Sequence, residues 1–248
     1  MPWKWYDSKV VKIAEESPTT KRFWLEVPET EELDFKAGQF VTMDLPISDK
    51  RLKRWRSYSI ASAPTDSNEL ELCIVRLNGG AATDYLFNEV QVGTEIKFKG
   101  PDGTFTLKEP IEKDLVFICT GTGIAPFRSM ILDIHKKQKP HRKIHLIFGT
   151  RTADHILYRS EFEQLQQEMP DFKYSVALSR EENLNPADFS FEVFKGYVHE
   201  AYLEQYKFPY PDVDFYICGW SSMIDDAVAN LLLKLKYDKS QIHYELYG

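Results

Sequence analysis

The pattern of strand-forming and helix-forming segments changes near residues 108–113, and this change constrains the fold more than any other feature. Before it, short β-forming segments are separated by turn residues such as Pro28, Gly38 and Pro64. Segments of this length and spacing are typical of a small antiparallel barrel. The predicted strands cover residues 10–13, 21–27, 39–45, 57–60, 69–75 and 95–99, with one helix at 81–88.

After residue 113, apolar strands alternate with helical stretches of about 10 to 15 residues, which predicts a parallel sheet with helices on both faces. The predicted strands are 115–118, 144–148, 173–178 and 215–218, and the helices are 124–137, 159–168 and 222–236. We therefore expect two domains: an antiparallel β-barrel in residues 1–110 and an α/β parallel-sheet domain in residues 111–248. A chain of 248 residues is long enough for both.

Composition excludes several classes of protein. A hydrophobic content of 43% indicates a folded chain with real cores, and a net charge of −7 argues against general nucleic-acid binding. The longest apolar runs, such as residues 115–119, are too short to cross a bilayer. The first five residues show no export-signal pattern, so we expect a cytoplasmic protein.

Cys73, Cys119 and Cys218 lie far apart in the sequence. Their spacing does not suit a structural zinc site, and a plant-type [2Fe–2S] cluster needs four cysteine ligands. We therefore expect no metal, and any iron–sulfur partner would be a separate protein.

Two segments of the predicted barrel could bind a ligand. In Arg56-Ser57-Tyr58-Ser59, the arginine and the tyrosine share one face of a strand, although an ordinary barrel strand would look the same. In residues 79–83, two glycines precede a helix start, and free N–H groups at a helix start attract phosphate. The alternative is a simple turn and helix cap, in which Thr83 and Asp84 serve only local structure.

Two segments of the second half could form another ligand site. Residues 120–126 follow an apolar strand and open a helix, as a dinucleotide phosphate loop requires, although they do not match G-x-G-x-x-G. Cys218-Gly219 ends a predicted strand, and ligands of open α/β sheets bind at the carboxyl ends of strands. A buried structural thiol is the alternative for Cys218.

These motifs, in this order and followed by Glu245-Leu246-Tyr247, resemble those of the ferredoxin–NADP reductase family over nearly the whole chain. The resemblance implies a flavin-binding barrel in which Arg56 binds flavin phosphate, Tyr58 packs on the flavin ring and Ser59 sits by its reactive N5. It also implies that Tyr247 covers the ring and that Glu245 lies on a proton route. The implied FAD residues are Arg56, Tyr58, Ser59, Ile74, Val75, Gly80, Ala81, Ala82, Thr83 and Tyr247.

The same resemblance implies an NADP(H) site in the α/β domain. Residues 121–129 match the family's G-T-G-I-A-P-x-x-S, and its cysteine–glycine pair lies beside the nicotinamide. The implied catalytic residues are Ser59, Cys218, Glu245 and Tyr247. The implied NADP residues are Thr120, Gly121, Thr122, Gly123, Pro126, Arg151, Ser179, Arg180, Cys218 and Gly219.

The choice between NADPH and NADH depends on Ser179-Arg180, where an arginine and a hydroxyl could hold a 2′-phosphate. Glu181 and Glu182 follow directly and would repel a phosphate that they faced. Arg159 and Lys195 are candidates for a second cationic contact. We expect NADPH.

A cationic segment of an otherwise acidic protein lies just before the flavin motif. Lys50, Arg51, Lys53 and Arg54 precede Arg56, so five cations occupy seven positions. The segment is either a solvated loop or a docking rim for an acidic carrier such as ferredoxin or flavodoxin.

The implied activity is hydride transfer from NADPH to FAD, followed by single-electron transfer to a ferredoxin or flavodoxin, or the reverse. One rival is an NADH-dependent reductase component of an oxygenase or a cytochrome. Another is a flavin electron-transfer subunit without nicotinamide activity. The sequence leaves the acceptor, the physiological direction and the oligomeric state open, and prefers FAD to FMN only by resemblance.

Overall fold

The computed structural model describes residues 4–65 and 67–246. Tyr247, one of the predicted site residues, lies outside the described residues. None of the helices in the described part of the chain has the length and apolar character needed to span a bilayer. The chain divides into two compact units, one formed by residues up to Leu107 together with Ala125–Asp133, and the other by Lys108–Ile124 together with residues from Ile134 onward. The domain boundary at 110 and 111 stays a prediction.

The first unit is a six-stranded antiparallel sheet with the strand order β4-β3-β6-β1-β2-β5. Its end strands are joined by a bridge between Ile60 and Leu72, and the Ala61 N–H donates to the Glu71 carbonyl oxygen at 2.8 Å. The sheet therefore closes into a barrel, and the predicted antiparallel barrel is confirmed. The strands are β1 (Trp5–Ser17), β2 (Thr20–Glu26), β3 (Phe40–Asp44), β4 (Trp55–Ser59), β5 (Glu69–Val75) and β6 (Glu95–Asp102).

Alternation along these strands fills the barrel with apolar side chains. Val10, Leu25, Val41 and Phe98 are among the fully buried residues of this core. Two helices interrupt the strands: a single turn, α1 (Arg51–Arg54), and α2 (Ala81–Asn88). The helix predicted at 81–88 has the predicted bounds.

The second unit is a six-stranded parallel sheet with the order β10-β9-β8-β7-β11-β12. Successive strands step outward from β7 in one direction and then restart on its other side, so the topological switch point lies between β7 and β11. The parallel α/β fold is thus confirmed. Its strands are β7 (Asp114–Thr120), β8 (Ile144–Thr150), β9 (Phe172–Leu178), β10 (Glu192–Lys195), β11 (Val213–Gly219) and β12 (Ile242–Leu246). The α-helices that follow β6 in the described residues are α3 (Ile124–Lys136), α4 (Arg159–Glu168), α5 (Val198–Gln205) and α6 (Ser221–Ala229).

Three elements of this unit were not predicted. β10 has only four residues, none of them buried, so it shows no apolar alternation. α5 buries Val198, Ala201 and Tyr202, a helical spacing that was present in the sequence but overlooked. The sequence of β12 resembles that of a frayed terminal segment, yet this strand pairs in parallel with β11. The helix predicted at 222–236 divides into α6 and a π-helical turn, Asn230–Lys234.

Candidate functional site

Strand β4 presents the predicted flavin motif on the barrel. Tyr58 packs against the core, and this burial raises the pKa of its phenol to about 12, although the nearby Arg56 charge works in the opposite direction. The phenol therefore stays protonated at neutral pH and offers a ring face and one hydrogen-bond donor. Ser59, on the other face of the strand, is buried.

The Arg56 guanidinium is partly engaged by the chain itself. Its Nη1 donates to the carbonyl oxygens of Lys53 at 3.0 Å and Trp55 at 2.7 Å. These bonds hold the end of α1 against the start of β4. A guanidinium has five N–H donors in a planar fork, so donors remain for a phosphate.

The turn before α2 has an open main chain. Gly79 has a φ of +72°, and a Cβ placed on it would meet no atom within 4 Å, so the backbone is open to a ligand there. Gly80 is the N-cap of α2 and offers no side-chain cap, which leaves the first N–H groups of the helix, at Ala81 and Ala82, available to an anion.

Thr83 has a local role within that turn. Its hydroxyl accepts from the Leu77 N–H at 3.1 Å and lies 3.0 Å from the carbonyl oxygens of Leu77 and Gly80. The hydroxyl thus holds the turn in shape, and the open main chain is what the turn presents to a ligand. On β5, Ile74 is buried and Val75 half-buried, so a contact at Ile74 would involve its main chain.

The predicted phosphate loop of the second unit lies at the switch point of the sheet. β7 leads into a 3-10 turn, Gly121–Gly123, and then into α3, of which Pro126 is the third residue. A Cβ on Gly123 would overlap the carbonyl group of Cys218, so only glycine lets the loop approach the end of β11 this closely. This is where open α/β sheets bind their ligands.

Cys218-Gly219 packs against the same loop from β11. Gly219 has a φ of +146°, and a Cβ on it would lie 2.5 Å from Thr120 Oγ1. Cys218 is paired in register with Cys119 on one side and Glu245 on the other, so two of the predicted catalytic residues are neighbours.

Two buried thiols lie beside the loop. Cys119 and Cys218 are both fully buried, and neither is in a disulfide. Desolvation raises the pKa of the Cys119 thiol well above its usual range, and Cys218 adds to the shift. Buried cysteines are generally inert, so we do not expect either thiol to act as a nucleophile. Glu245 is half-exposed and keeps access to water.

The residues predicted to select NADP follow β8 and β9. The Arg180 N–H donates to the Arg151 carbonyl oxygen at 2.8 Å, and the Ser179 N–H to that of Thr150 at 3.0 Å. The side chains of Arg151 and Arg180 are both exposed. Two arginines on adjacent strand ends form a cationic edge suited to a phosphate.

Three other charged residues near this edge form bonds with the chain itself. The Glu181 carboxylate accepts from the Ala153 N–H at 2.9 Å, and so caps a short turn. The Lys195 amine donates to the Glu182 carbonyl oxygen at 3.3 Å. Arg159 bonds Glu163 and the Asp188 carbonyl oxygen and stacks on Phe189 at 4.9 Å.

The four cations of the segment before β4 differ in their contacts. Arg54 forms an ion pair with Asp44 at 2.7 Å, and Arg51 lies over the Trp55 ring at 4.6 Å. Lys50, Arg51 and Lys53 are exposed, and so is Leu52 between them, at 82%.

Sequence reasoning overlooked two features near these motifs. Arg128, within the family loop pattern, is buried and bonds Glu71 at 3.1 Å and the Ala61 carbonyl oxygen at 2.7 Å. Trp220, directly after Cys218-Gly219, is 59% exposed. A tryptophan directly after a predicted ligand motif was the signal that the sequence offered.

Comparison with known proteins agrees with the two ligand sites. The oxidoreductase FAD-binding domain family matches residues 7–107, and the oxidoreductase NAD-binding domain family matches residues 117–229. The chain is 32% identical to the reductase component DmpP of phenol 2-monooxygenase from Pseudomonas sp. strain CF600, over 92% of this chain and 61% of that one. It is 30% identical to ferredoxin–NADP reductase B of Sorangium cellulosum, over 98% of this chain and 97% of that one.

A solved structure shows the same architecture. The ferredoxin NADP⁺ reductase from Neisseria gonorrhoeae with bound FAD and NADP superposes with a TM-score of 0.78 and 25% sequence identity, over 98% of each chain. The chain spans less than two thirds of the length of two of these relatives: 61% of the phenol 2-monooxygenase reductase component, and 65% of the phenol hydroxylase P5 protein of Acinetobacter pittii, to which it is 31% identical over 97% of its own length.

Proposed function

This chain belongs to the ferredoxin–NADP reductase family, and from that membership we propose that it passes electrons from NADPH through bound FAD to a separate one-electron carrier of the ferredoxin or flavodoxin type, or in the reverse direction. It is an FAD- and NAD(P)-dependent oxidoreductase. The packing of the 120–123 loop against Cys218-Gly219 at the switch point is the observation that most supports this function.

The residues of the chain contribute binding, positioning and proton handling. When bound, the flavin supplies the redox chemistry, because it accepts a hydride and releases electrons singly. We assign Arg56 and the open turn at Gly79 to the flavin phosphates. Cys218 shapes the surface on which the nicotinamide lies, and Glu245, the half-exposed carboxylate next to it, holds or releases a proton.

A preference for NADPH is supported by the two exposed arginines that follow β8 and β9. Arg151 and Arg180 leave their guanidinium groups for a 2′-phosphate, while Glu181 is drawn to the Ala153 main chain. The name of the Sorangium relative also favours NADP. The phenol hydroxylase relative favours the rival function, the reductase component of an oxygenase.

Docking of an acidic carrier is supported by the exposed cations Lys50, Arg51 and Lys53, which stand out from a chain of net charge −7. Arg54 supports the segment through Asp44. The carrier itself, the direction of flow and the cytoplasmic location remain predictions.

Anaerobic titration of the purified yellow protein tests the function. We expect NADPH to bleach the flavin absorbance at lower concentration than NADH, and the reduced protein then to pass electrons to ferredoxin or flavodoxin. Faster bleaching by NADH, with no transfer to either carrier, would support the oxygenase-reductase function. If neither nucleotide bleached the flavin, the result would support a flavin-binding electron-transfer subunit without nicotinamide activity.

A further inference from the structure

Trp220 occupies the turn from β11 into α6 and is the N-cap residue of that helix. It is one of five tryptophans in the chain, and the only one after Trp55. At 59% exposed, its ring is far more accessible than is usual for a large aromatic side chain. Trp220 is not among the side chains that form or pack against the hydrophobic core of this unit.

The polar edge of this ring lies against the phosphate loop. The indole Nε1 is 3.7 Å from the point where a Cβ on Gly121 would stand. The Trp220 main-chain N–H is 3.5 Å from Thr120 Oγ1, so the backbone of the turn is also held close to the loop. Both contacts lie within the second unit.

Within residues 4–65 and 67–246, no protein acceptor lies within hydrogen-bond distance of the indole N–H. An indole N–H is a donor only, so it is available to an acceptor on a ligand. Here it is adjacent to a glycine turn of the kind that binds the diphosphate of a dinucleotide.

We propose that Trp220 is a nucleotide-contacting residue whose indole N–H donates a hydrogen bond to the diphosphate of the bound nicotinamide dinucleotide. The ring then covers the diphosphate from solvent, which strengthens each polar contact beneath it. The proposal rests on the proposed function, since it requires that the second unit bind such a nucleotide.

Isothermal titration of the oxidised flavin-loaded protein with NADP⁺ and with NAD⁺ tests this contact without turnover. Trp220→Phe keeps an aromatic ring and loses the donor, whereas Trp220→His keeps a ring N–H. Trp24→Phe, in the first unit, is the matched control. Competition with adenosine 2′-monophosphate, which has no diphosphate, separates the diphosphate contact from a general disturbance.

We expect Trp220→Phe to weaken binding of the preferred dinucleotide about tenfold, because a hydrogen bond to a charged acceptor is lost. Trp220→His should recover part of the loss, and the monophosphate should bind all proteins alike. Equal dinucleotide affinities in Trp220→Phe and the wild type would overturn the proposal, as would an equal loss for the monophosphate. If the wild type binds neither NADP⁺ nor NAD⁺, the proposed function fails first, and this contact fails with it.

Discussion

The exposed guanidinium of Arg180 is the residue-scale feature on which the predicted choice of NADPH depends. Its main chain is fixed to Arg151, and its side chain is free in solvent, so a substitution there should leave the fold intact. The neighbouring carboxylate of Glu181 accepts a hydrogen bond from the Ala153 N–H, which directs that carboxylate towards the main chain.

Arg180→Ala should therefore raise the KM for NADPH roughly ten- to hundredfold and change that for NADH little, since only NADPH has a 2′-phosphate. Steady-state reduction of ferricyanide with each nucleotide measures both values. Lys207→Ala, which removes an exposed cation of the same unit, is the control. Equal increases for both nucleotides would place Arg180 away from the 2′-phosphate.

Buried polar groups at the scale of single elements join helices and strands in each unit. In the first unit, Arg128 of α3 reaches Glu71 of β5, and Ser129 donates from its hydroxyl to the Ser62 carbonyl oxygen at 2.6 Å. Glu71 also pairs with Arg22 of β2 at 2.6 Å. The sequence pattern that continues the phosphate loop thus also attaches α3 to the barrel.

Arg128→Met should lower the free energy of unfolding by about 3–5 kcal/mol, because it leaves a buried carboxylate without one of its partners. Arg22→Met removes the other arginine of the same buried carboxylate, and it should cost less than Arg128→Met because the Arg22 side chain is the more exposed of the two. Urea unfolding followed by circular dichroism gives both values. Similar losses of unfolding free energy in the two variants would show that the deeper burial of Arg128 adds no stability beyond that of Arg22.

In the second unit, His145 of β8 links β9 to Tyr206, the residue that follows α5. Its Nε2 lies 2.9 Å from Ser175 Oγ and its Nδ1 lies 2.7 Å from the Tyr206 hydroxyl. Burial, together with the smaller effect of the Lys173 charge, lowers the pKa of this histidine to about 3. The imidazole is therefore neutral in the folded protein at any pH near neutrality.

An unfolded chain protonates this histidine near pH 6.5, so it binds the proton more readily than the folded chain does. The stabilising contribution is complete above pH 6.5 and falls as the pH drops towards 3, by about 2 kcal/mol between pH 7 and pH 5. His145→Gln removes the titration. The difference in free energy of unfolding between wild type and variant should shrink by about 2 kcal/mol between pH 7 and pH 5. A difference that stays constant over this pH range would show that His145 does not stay neutral in the folded protein.

At the scale of the whole molecule, a net charge of −7 repels an acidic carrier, so docking depends on a local cationic surface. The Lys50→Gln, Arg51→Gln, Lys53→Gln triple variant should slow electron transfer to ferredoxin or flavodoxin at low salt and spare ferricyanide reduction. Arg54 is left in place because it pairs with Asp44. Stopped-flow rates at increasing salt should fall more for the wild type, as the screening length shortens to about 8–10 Å.

The control for that variant is Lys136→Gln, Lys143→Gln, Lys207→Gln, which removes three exposed cations from the second unit. If electron transfer to the carrier slows equally in both triple variants, only the net charge of the protein matters, and the docking surface lies elsewhere.

Local features of the sequence were enough to predict the fold class and the order of the motifs. Apolar periodicity distinguishes a barrel from an α/β sheet, and glycine at 79, 80, 121 and 123 indicates backbone that approaches a ligand, because both signals lie within a few residues. Short or irregular elements escaped prediction: β10 has no apolar alternation, and β12 looks like a loose terminus until β11 is beside it.

Only the tertiary structure decided which motifs meet. Strand order brings Cys218 between Cys119 and Glu245, the close approach of Gly123 joins the loop to the end of β11, and Trp220 lies over Gly121. The tertiary structure also places the Thr83 hydroxyl in a hydrogen bond within its own turn, and it buries Arg128 against Glu71. The physical reason is that strand order and register arise from pairing between segments distant in sequence, and a local pattern contains no information about its partner.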